Sequence, residues 1–521
     1  MSKENDDLTG FWWIPSNPAN KLAGIFRYSK DNGMNLNLIG SFIDEQTITD
    51  VGTKYPVIFG ATNNKEITLI NCSVTESSFS TSGFSSLKCR VDKVFIGAHL
   101  SFPEENLFYK VEVEYTYLTD WIGEIQFSTS NISREKYQEY QVTYHIPNAY
   151  AFVSKSARLK LNFALDGKTS LFRTNISKKI TLEIEVENDL KFEEFITRFV
   201  YPLQNFLTFV TGKLNALERI DVYSRQKNTI FYQNQNISLP IQVIDNQIYH
   251  GEERKENFQL SNVLFSFQYV KDKFGEIINK WIENHEHFEA TCNLYFGIQY
   301  QNQLYLEQKF LSIAQAVESF HRHSLKYKIM VLPKDEHKKK INAILSSIPE
   351  EHKDWLKQKL SFSNEPSLHD RLSELIETVK ESIEPLLGDI NSFIKKVKDT
   401  RNYLTHYDRS GKKKAIEGLE LFWLIQGMSF LLQALFLSEL EFSCEDIKIF
   451  ISKDPMFTLV RDNLRTEVIE LGLTQKLIKT SPLAPLPQEK RIRKNRILRP
   501  FFRKRRGWMM RRIFILRKLK E

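Results

Sequence analysis

The sequence predicts an α+β protein with an antiparallel β-rich domain at the N-terminus, followed by an all-α helical bundle. Three observations support this prediction. Apolar and polar residues alternate with a period of two in the first part of the chain, as they do in half-buried strands. Beyond residue 301, apolar residues recur at steps of three and four, as on one face of a helix. A length of 521 residues exceeds what one hydrophobic core supports, so two or three domains are expected.

The N-terminal domain is predicted to span residues 1–190 and to consist of short strands. The alternation is clearest at Val111 to Tyr117, Leu159 to Phe163 and Ile180 to Val186. Asp31-Asn32-Gly33 separates two further strand-like segments, and both Asn and Gly tolerate the positive φ that a hairpin turn requires. Many short strands at near-regular spacing indicate an antiparallel sandwich or a barrel-like domain.

Residues 190–300 show a mixed pattern. Leu190 to Leu217 carries apolar residues at helical spacing, whereas Ile230 to Tyr232 and Ile237 to Ile244 resemble strands. This region either completes the first domain or bridges it to the second.

Residues 301–455 are predicted to form the helical bundle. Leu306 to Phe320 has one apolar face, and Leu386 to Leu404 and Ala415 to Leu440 predict two more strong helices. Three or four helices over this length are typical of a bundle.

One segment of the last helix, Leu421 to Leu437, is close to the length of a membrane span. Gln426 and Gln433 interrupt it, and glutamates flank it closely on both sides. We therefore expect a buried helix of the bundle rather than a span, because a helix that is apolar on every side also fits a protein core or interface.

Residues 456–521 are predicted to be a C-terminal extension with a Pro-rich spacer, SPLAPLP, and a basic tail. From Gln488 to Glu521 there are 15 Lys and Arg against two Glu, so this tail carries +13 and the rest of the chain −5. The tail either binds RNA, lies on anionic lipid, or is a solvated end without a specific role, and membrane contact is the less favoured of the two binding roles. The candidate RNA-binding residues are Arg503, Lys504, Arg505, Arg506 and Trp508.

Several classes of protein are disfavoured by the composition. The four cysteines are scattered without a CxxC pair, which argues against a disulfide framework and a zinc ribbon and indicates a reducing, cytoplasmic location. The N-terminus lacks the features of a secretory signal. No P-loop and no GxSxG motif is present.

Two histidine-rich segments were weighed as metal sites. His285-Glu286-His287 and His321-Arg322-His323 both lack zinc-finger and HExxH spacing, and solvated surface histidines are the favoured interpretation. We therefore expect no metal and no cofactor.

The candidate site lies on the helix predicted from Leu386. Its apolar stripe passes through Ile394 and Val397 and then reaches Arg401, where the spacing calls for an aliphatic residue. A guanidinium near a core is costly unless it is paired or lies at an opening where its charge is used. The first alternative is a structural ion pair, for which Glu318 on the first helix of the bundle is the candidate partner.

The second alternative is chemical. His406 follows Arg401 by five residues, and a frayed last turn would bring both side chains to one opening. Imidazole suits proton transfer near neutral pH, and a guanidinium suits the charge of a phosphorane-like transition state. Asn402 adds a neutral donor. These groups suffice for RNA cleavage in which the 2′-OH of the substrate attacks, without a metal or a protein nucleophile.

This Arg-polar-x-x-x-His motif, late in a bundle and followed by a long apolar helix, resembles the HEPN superfamily. The segments GFWWIP from Gly10, LAGIF from Leu22 and LNLIG from Leu36 are similar to the opening of ApeA-like proteins. These are bacterial anti-phage abortive-infection proteins with a β-rich domain before a HEPN domain. The resemblance covers the architecture of most of residues 8–440 and is specific at the opening segments and at 401–406. The basic tail has no counterpart in it.

The resemblance implies a ribonuclease that works as a homodimer or a larger homo-oligomer, with the motifs of two protomers facing one composite cleft. A partner would then cover one face of the last, all-round apolar helix. Arg401 and His406 would be catalytic, with Asn402 between them. Glu318 and Asp399 are candidate supporting residues.

The expected function is that of an anti-phage effector whose N-terminal domain senses a phage-derived trigger and whose HEPN domain cleaves RNA, with transfer RNA as a candidate substrate. Two alternatives remain at this point. A HEPN bundle can bind nucleotides, RNA or a partner without turnover, and an effector can act on membranes through the basic tail.

Overall fold

The computed structural model describes residues 7–465, except for 30–32, 43–50, 64, 79–83, 101–106, 124–126, 134–137, 155, 233–234, 247, 249–257, 302 and 329. The chain divides into two units, Met1–Arg465 and Thr466–Glu521. The spacer and the candidate tail residues Arg503, Lys504, Arg505, Arg506 and Trp508 lie outside the described residues. Their predicted role in RNA binding stays a prediction.

The β-rich part of the described chain contains seventeen strands, as predicted in outline from the alternating pattern. They are β1 (Leu8–Trp13), β2 (Leu22–Ser29), β3 (Gly33–Ile39), β4 (Lys54–Thr62), β5 (Lys65–Ser78), β6 (Ser86–Val91), β7 (Lys93–Ile96), β8 (Leu107–Tyr115), β9 (Phe127–Ser133), β10 (Gln138–Tyr144), β11 (Tyr150–Val153), β12 (Arg158–Ser170), β13 (Arg173–Lys191), β14 (Leu217–Tyr223), β15 (Thr229–Tyr232), β16 (Gln235–Ser238) and β17 (Ile241–Asp245).

Fifteen α-helices occur in the described residues, most of them after the strands. They are α1 (Leu118–Ile122), α2 (Phe192–Phe195), α3 (Tyr201–Thr211), α4 (Phe267–Val270), α5 (Phe274–His287), α6 (Glu289–Tyr300), α7 (Leu306–His323), α8 (Lys334–Ser346), α9 (Glu350–Lys359), α10 (Leu368–Thr378), α11 (Lys380–Leu387), α12 (Ile390–His406), α13 (Gly418–Glu439), α14 (Cys444–Ser452) and α15 (Pro455–Arg465). The predicted α+β class is confirmed.

The first six strands close into an antiparallel barrel in the order β5-β4-β1-β2-β3-β6, with β6 pairing back to β5. The barrel has its own core, in which Trp12 and Met34 have no exposed surface. Gly60 on β4 lies against the Trp12 ring, where an added Cβ atom would come within 2.3 Å of the ring. The tryptophan therefore fills the barrel only because its neighbour has no side chain.

The long strand β5 also starts an open sheet outside the barrel. Ile67 to Ile70 pair with β7, and the sheet continues through β17, β14, β8, β13 and β12 to β11. Residues 190–300 contribute to both parts of the protein. Strands β14 and β17 join this sheet, and helices α5 and α6 lead into the bundle. Trp281 of α5 stacks on Phe209 of α3 and contacts Phe436 of α13, so one hydrophobic core runs from the sheet into the bundle.

Two predicted helix boundaries differ from the structure for local reasons. The helix expected over Leu190 to Leu217 ends at Thr211, because Gly212 adopts a left-handed conformation with φ of 61° and strand β14 follows. The helix expected from Leu386 is split into α11 and α12 at Gly388, which has φ of 69°. Asp389 then caps α12 by accepting hydrogen bonds from the backbone N–H groups of residues 391 and 392.

The apolar helix α13 is the centre of the bundle and packs against α7, α10, α11, α14 and α15. By length and composition alone it could cross a membrane, but 72% of its apolar window is buried inside the protein. Its glutamine Gln433 donates a hydrogen bond to the Tyr295 hydroxyl. Contacts within one chain thus account for the apolar surface of α13. A partner subunit, which the sequence analysis expected to cover one face of this helix, is not needed to explain that surface.

Candidate active site

A cleft of about 480 Å³ opens between helices α7 and α12 of the bundle. We call it the α7–α12 cleft. Its lining consists of Leu311 and six residues with polar or charged side chains, Gln315, Glu318, Ser319, Arg322, Arg401 and Thr405. Two of the sequence-predicted residues, Arg401 and Glu318, are therefore brought together here.

Arg401 reaches the cleft because α12 has one buried and one open side. Ile394, Val397 and Leu404 are buried on the apolar stripe, whereas the Arg401 side chain keeps 36% of its surface exposed. Its Nη2 atom lies 3.5 Å from Oε2 of Glu318. An ion pair this accessible to solvent stabilises a fold by about 1 kcal/mol at most. The pairing considered from the sequence exists, and it contributes little to stability because the Arg401 guanidinium remains partly in solvent.

His406 lies at the exposed C-terminal end of α12. The helix is regular through His406 and ends where Tyr407 adopts a left-handed conformation with φ of 51°. The frayed last turn expected from the sequence is not present. Five residues of α-helix rotate the side-chain direction by about 140°, so His406 projects from a different side of α12 than Arg401. The histidine is accordingly not part of the cleft lining.

The remaining predicted residues differ in their placement. Asn402 is exposed, and its Oδ1 atom accepts a hydrogen bond of 3.5 Å from Nη1 of Arg401. Asp399 is half-buried and makes no side-chain hydrogen bond or ion pair with another residue in the described part of the chain. The amide therefore can orient the guanidinium, while the carboxylate has no visible link to the site.

Arg322 is a second cationic residue of the cleft that the sequence interpretation missed. Its Nη2 atom lies 3.4 Å from Oε1 of Glu318, so one carboxylate serves two guanidinium groups. The available signal was the spacing of Glu318 and Arg322, four residues apart on the polar side of an amphipathic helix. Two arginines facing a polar opening form a site suited to phosphate oxygens.

Each histidine-rich segment has one buried histidine, His285 or His321, and one exposed histidine, His287 or His323. His321 is fully buried and contacts Glu374 and Arg371, and His323 contacts the Ser319 backbone carbonyl. His285 is buried against Asn205, and burial lowers its pKa to about 4. Among the described residues there is no group of three or more His, Cys, Asp or Glu side chains that could hold a metal ion. The predicted surface location of these histidines is therefore wrong for His285 and His321.

The helical bundle with an arginine and a histidine near the end of α12, preceded by a β-rich domain, agrees with the architecture of a HEPN-domain protein, and a family match identifies it as one. Residues 311–446 match the family described as Apea-like HEPN. Residues 7–281, more than half of the chain, match ApeA N-terminal domain 1. The chain belongs to the ApeA-like family.

The two matches together support an anti-phage HEPN effector. They cover the barrel, the open sheet and the bundle up to the first residues of α14. No curated protein and no solved structure matches the chain.

Proposed function

We propose that this protein is an anti-phage ribonuclease whose HEPN domain cleaves RNA without a metal ion. The observation that carries the proposal is the pair of arginines, Arg322 and Arg401, at one polar cleft of a HEPN bundle. Guanidinium groups bind phosphate oxygens bidentately and stabilise the charge that develops on them in the transition state.

In the proposed reaction the 2′-OH of the substrate attacks the adjacent phosphorus, and the bond to the 5′ oxygen of the next nucleotide breaks. His406 acts as general base or general acid, and Arg401 stabilises the charge on the scissile phosphate. Asn402 holds the Arg401 guanidinium through its Oδ1 atom. The products carry 2′,3′-cyclic phosphate and 5′-OH ends. Transfer RNA is a candidate substrate.

The active form is proposed to be a homodimer. His406 is exposed and lies on a different side of α12 from Arg401, so one protomer does not present both groups to one phosphate. A second copy supplies the missing half if Arg401 of one protomer faces His406 of its partner. The N-terminal domain is proposed to sense the phage-derived trigger that permits cleavage.

The first test is cleavage of total RNA by the purified chain in EDTA, with Arg401→Ala and His406→Ala alongside. Lys395→Ala is the matched control, because it removes an exposed cation from the same helix outside the cleft. We expect the wild type and Lys395→Ala to produce cyclic phosphate ends and the two site variants to produce none. Cleavage by both site variants at the wild-type rate would refute the assignment.

Co-expression of the two inactive variants tests the composite site. A heterodimer of Arg401→Ala and His406→Ala contains one intact site if each site takes its arginine and histidine from different protomers. About half of the wild-type activity per dimer is then expected. If both residues act within one protomer, the heterodimer has no intact site and stays inactive.

A further inference from the structure

Arg322 is held in the cleft from two directions. Its own helix α7 provides Glu318, at 3.4 Å. A second carboxylate, Glu365, lies in the segment between α9 and α10, and its Oε2 atom is 2.9 Å from the same Nη2 atom of Arg322. The shorter of the two contacts is therefore the one from outside the helix. Glu318 also pairs with Arg401. With Glu365 as a second carboxylate, the two arginines of the cleft have one carboxylate each.

Glu365 is in turn contacted by a buried arginine. Arg371 on α10 is 1% exposed, and its Nη2 atom lies 3.6 Å from Oε2 of Glu365. Its Nε donates a hydrogen bond of 3.1 Å to the Pro366 backbone carbonyl. Burying a guanidinium is costly unless its donors are paired. The hydrogen bond to Pro366 offsets part of that cost, whereas Nη2 has no hydrogen-bond partner among the described residues and interacts with Glu365 only through charge.

The third contact of Arg371 fixes a neighbouring histidine. Its Nη1 atom lies 3.0 Å from Nδ1 of His321, and a guanidinium only donates, so Nδ1 is the acceptor. The imidazole proton is then on Nε2, which donates to Oε2 of Glu374 at 2.8 Å. Arg371, which lies on α10, thus contacts both α7 and the segment before α10, and these contacts restrict the movement of its guanidinium.

We propose that Glu365 and Arg371 are positioning residues that hold Arg322 in place to bind a phosphate of the RNA substrate. The inference rests on the proposed function. Arg371 orients Glu365, and Glu365 holds one edge of the Arg322 guanidinium. When a phosphate displaces Glu318 from the cleft, Arg322 keeps its position because its second carboxylate does not face the α7–α12 cleft.

This arrangement predicts an effect on substrate affinity rather than on the chemical step. Glu365 and Arg371 are absent from the cleft lining and do not contact Arg401 or His406. Without Glu365 or Arg371, the Arg322 side chain can adopt other rotamers. Phosphate binding must then also restrict that side chain, and the lost conformational entropy weakens binding. The half-saturating RNA concentration should rise while the maximal cleavage rate stays close to that of the wild type.

The experiment is a double-mutant cycle in the full-length chain with Glu365→Ala, Arg322→Ala and the double variant. Cleavage is measured against RNA concentration, at a salt concentration that suppresses the nonspecific contribution of the basic tail. Glu377→Ala is the matched control, since Glu377 is an exposed carboxylate on the neighbouring helix α10 and, within the described part of the chain, its side chain pairs with Lys380 alone. Affinity of the same RNA is measured in parallel by fluorescence anisotropy.

We expect Glu365→Ala to raise the half-saturating concentration by about two- to fivefold, the effect of losing one partly exposed ion pair. The double variant should match Arg322→Ala, because Glu365 acts only through that arginine. Glu377→Ala should match the wild type. An equal fold-change from Glu365→Ala in the Arg322→Ala background would overturn the inference, as would a change in maximal rate alone.

Arg371→Lys tests the buried member, since it keeps the charge and removes the fork of donors. Like Glu365→Ala, Arg371→Lys should raise the half-saturating RNA concentration. If this variant does not fold, the double-mutant cycle of Glu365 and Arg322 still tests the inference. RNA cleavage by the wild type that is absent both from the purified chain and from phage-challenged cells expressing it would refute the proposed function. The anisotropy cycle would still decide whether Glu365 acts through Arg322.

Discussion

Replacing Arg401 by alanine should separate activity from stability. The side chain is 36% exposed and its contact with Glu318 is 3.5 Å long, so its removal should cost about 1 kcal/mol of folding free energy or less. One turn later on the same helix, Leu404 is 6% exposed within the core. Truncating that leucine should cost about 2–5 kcal/mol, because it leaves a cavity in a packed interior.

For RNA cleavage the order of the two variants is reversed: Arg401→Ala should lose activity, and Leu404→Ala should keep it. Arg401→Ala removes the group proposed to stabilise charge on the scissile phosphate, and loss of one such donor costs about 10²–10³ in rate. Leu404→Ala leaves both arginines and His406 in place, so its folded fraction should cleave RNA close to the wild-type rate. The two neighbouring substitutions therefore predict opposite patterns of stability and turnover.

Urea unfolding followed by circular dichroism measures the first quantity, and single-turnover RNA cleavage in EDTA measures the second. Both variants should be compared at a temperature where circular dichroism shows them folded. The reasoning would be refuted if Arg401→Ala lost as much stability as Leu404→Ala and lost activity only in proportion to its unfolded fraction. Arg401 would then be a structural ion-pair residue, the first alternative considered from the sequence.

Three further outcomes are expected. Burial lowers the pKa of His285 from 6.5 to about 4, so the unfolded chain binds a proton that the native chain lacks. About 3 kcal/mol of stability should disappear as the pH falls through that interval, and urea unfolding should show a smaller loss for His285→Gln. Leu431→Ala, at a fully buried position of α13, should lower the free energy of unfolding by about 2–5 kcal/mol, and a loss under ~1 kcal/mol would contradict the described packing. Deleting residues 488–521 should weaken RNA binding and reduce its salt dependence in a filter-binding titration, and an unchanged affinity would remove the tail from RNA recognition.

The strands and helices with strong periodicity could be predicted from the sequence. The alternation at Ile180 to Val186 falls on β13, and the stripe from Leu306 falls on α7. The alternation at Val111 to Tyr117 falls on β8 up to Tyr115, where that strand ends. Closure of the barrel could not be predicted, because it depends on β6 pairing back to β5, a contact between strands that local pattern does not specify. The break at Gly388 was missed because apolar spacing continues across it.

At the candidate site, Arg401 stood out because a charged residue occupied a position that the apolar stripe reserves for an aliphatic side chain. Glu318 was named as its partner for the same reason, and the two lie in contact. Arg322 was missed because the segment His321-Arg322-His323 was interpreted as solvated surface. Its partner Glu365 lies in the segment before α10, and Arg371, which contacts Glu365, lies on α10 itself. No spacing rule connects these residues to Arg322.

The central position of α13 has a consequence for synthesis of the chain. Residues Gly418–Glu439 leave the ribosome after every residue of the α7–α12 cleft, yet they provide the core on which α7, α10 and α11 pack. A nascent or prematurely terminated chain that lacks them exposes the apolar sides of those helices and has no fixed bundle. Translation must therefore pass α13 before the bundle can hold Arg322 and Arg401 at one cleft.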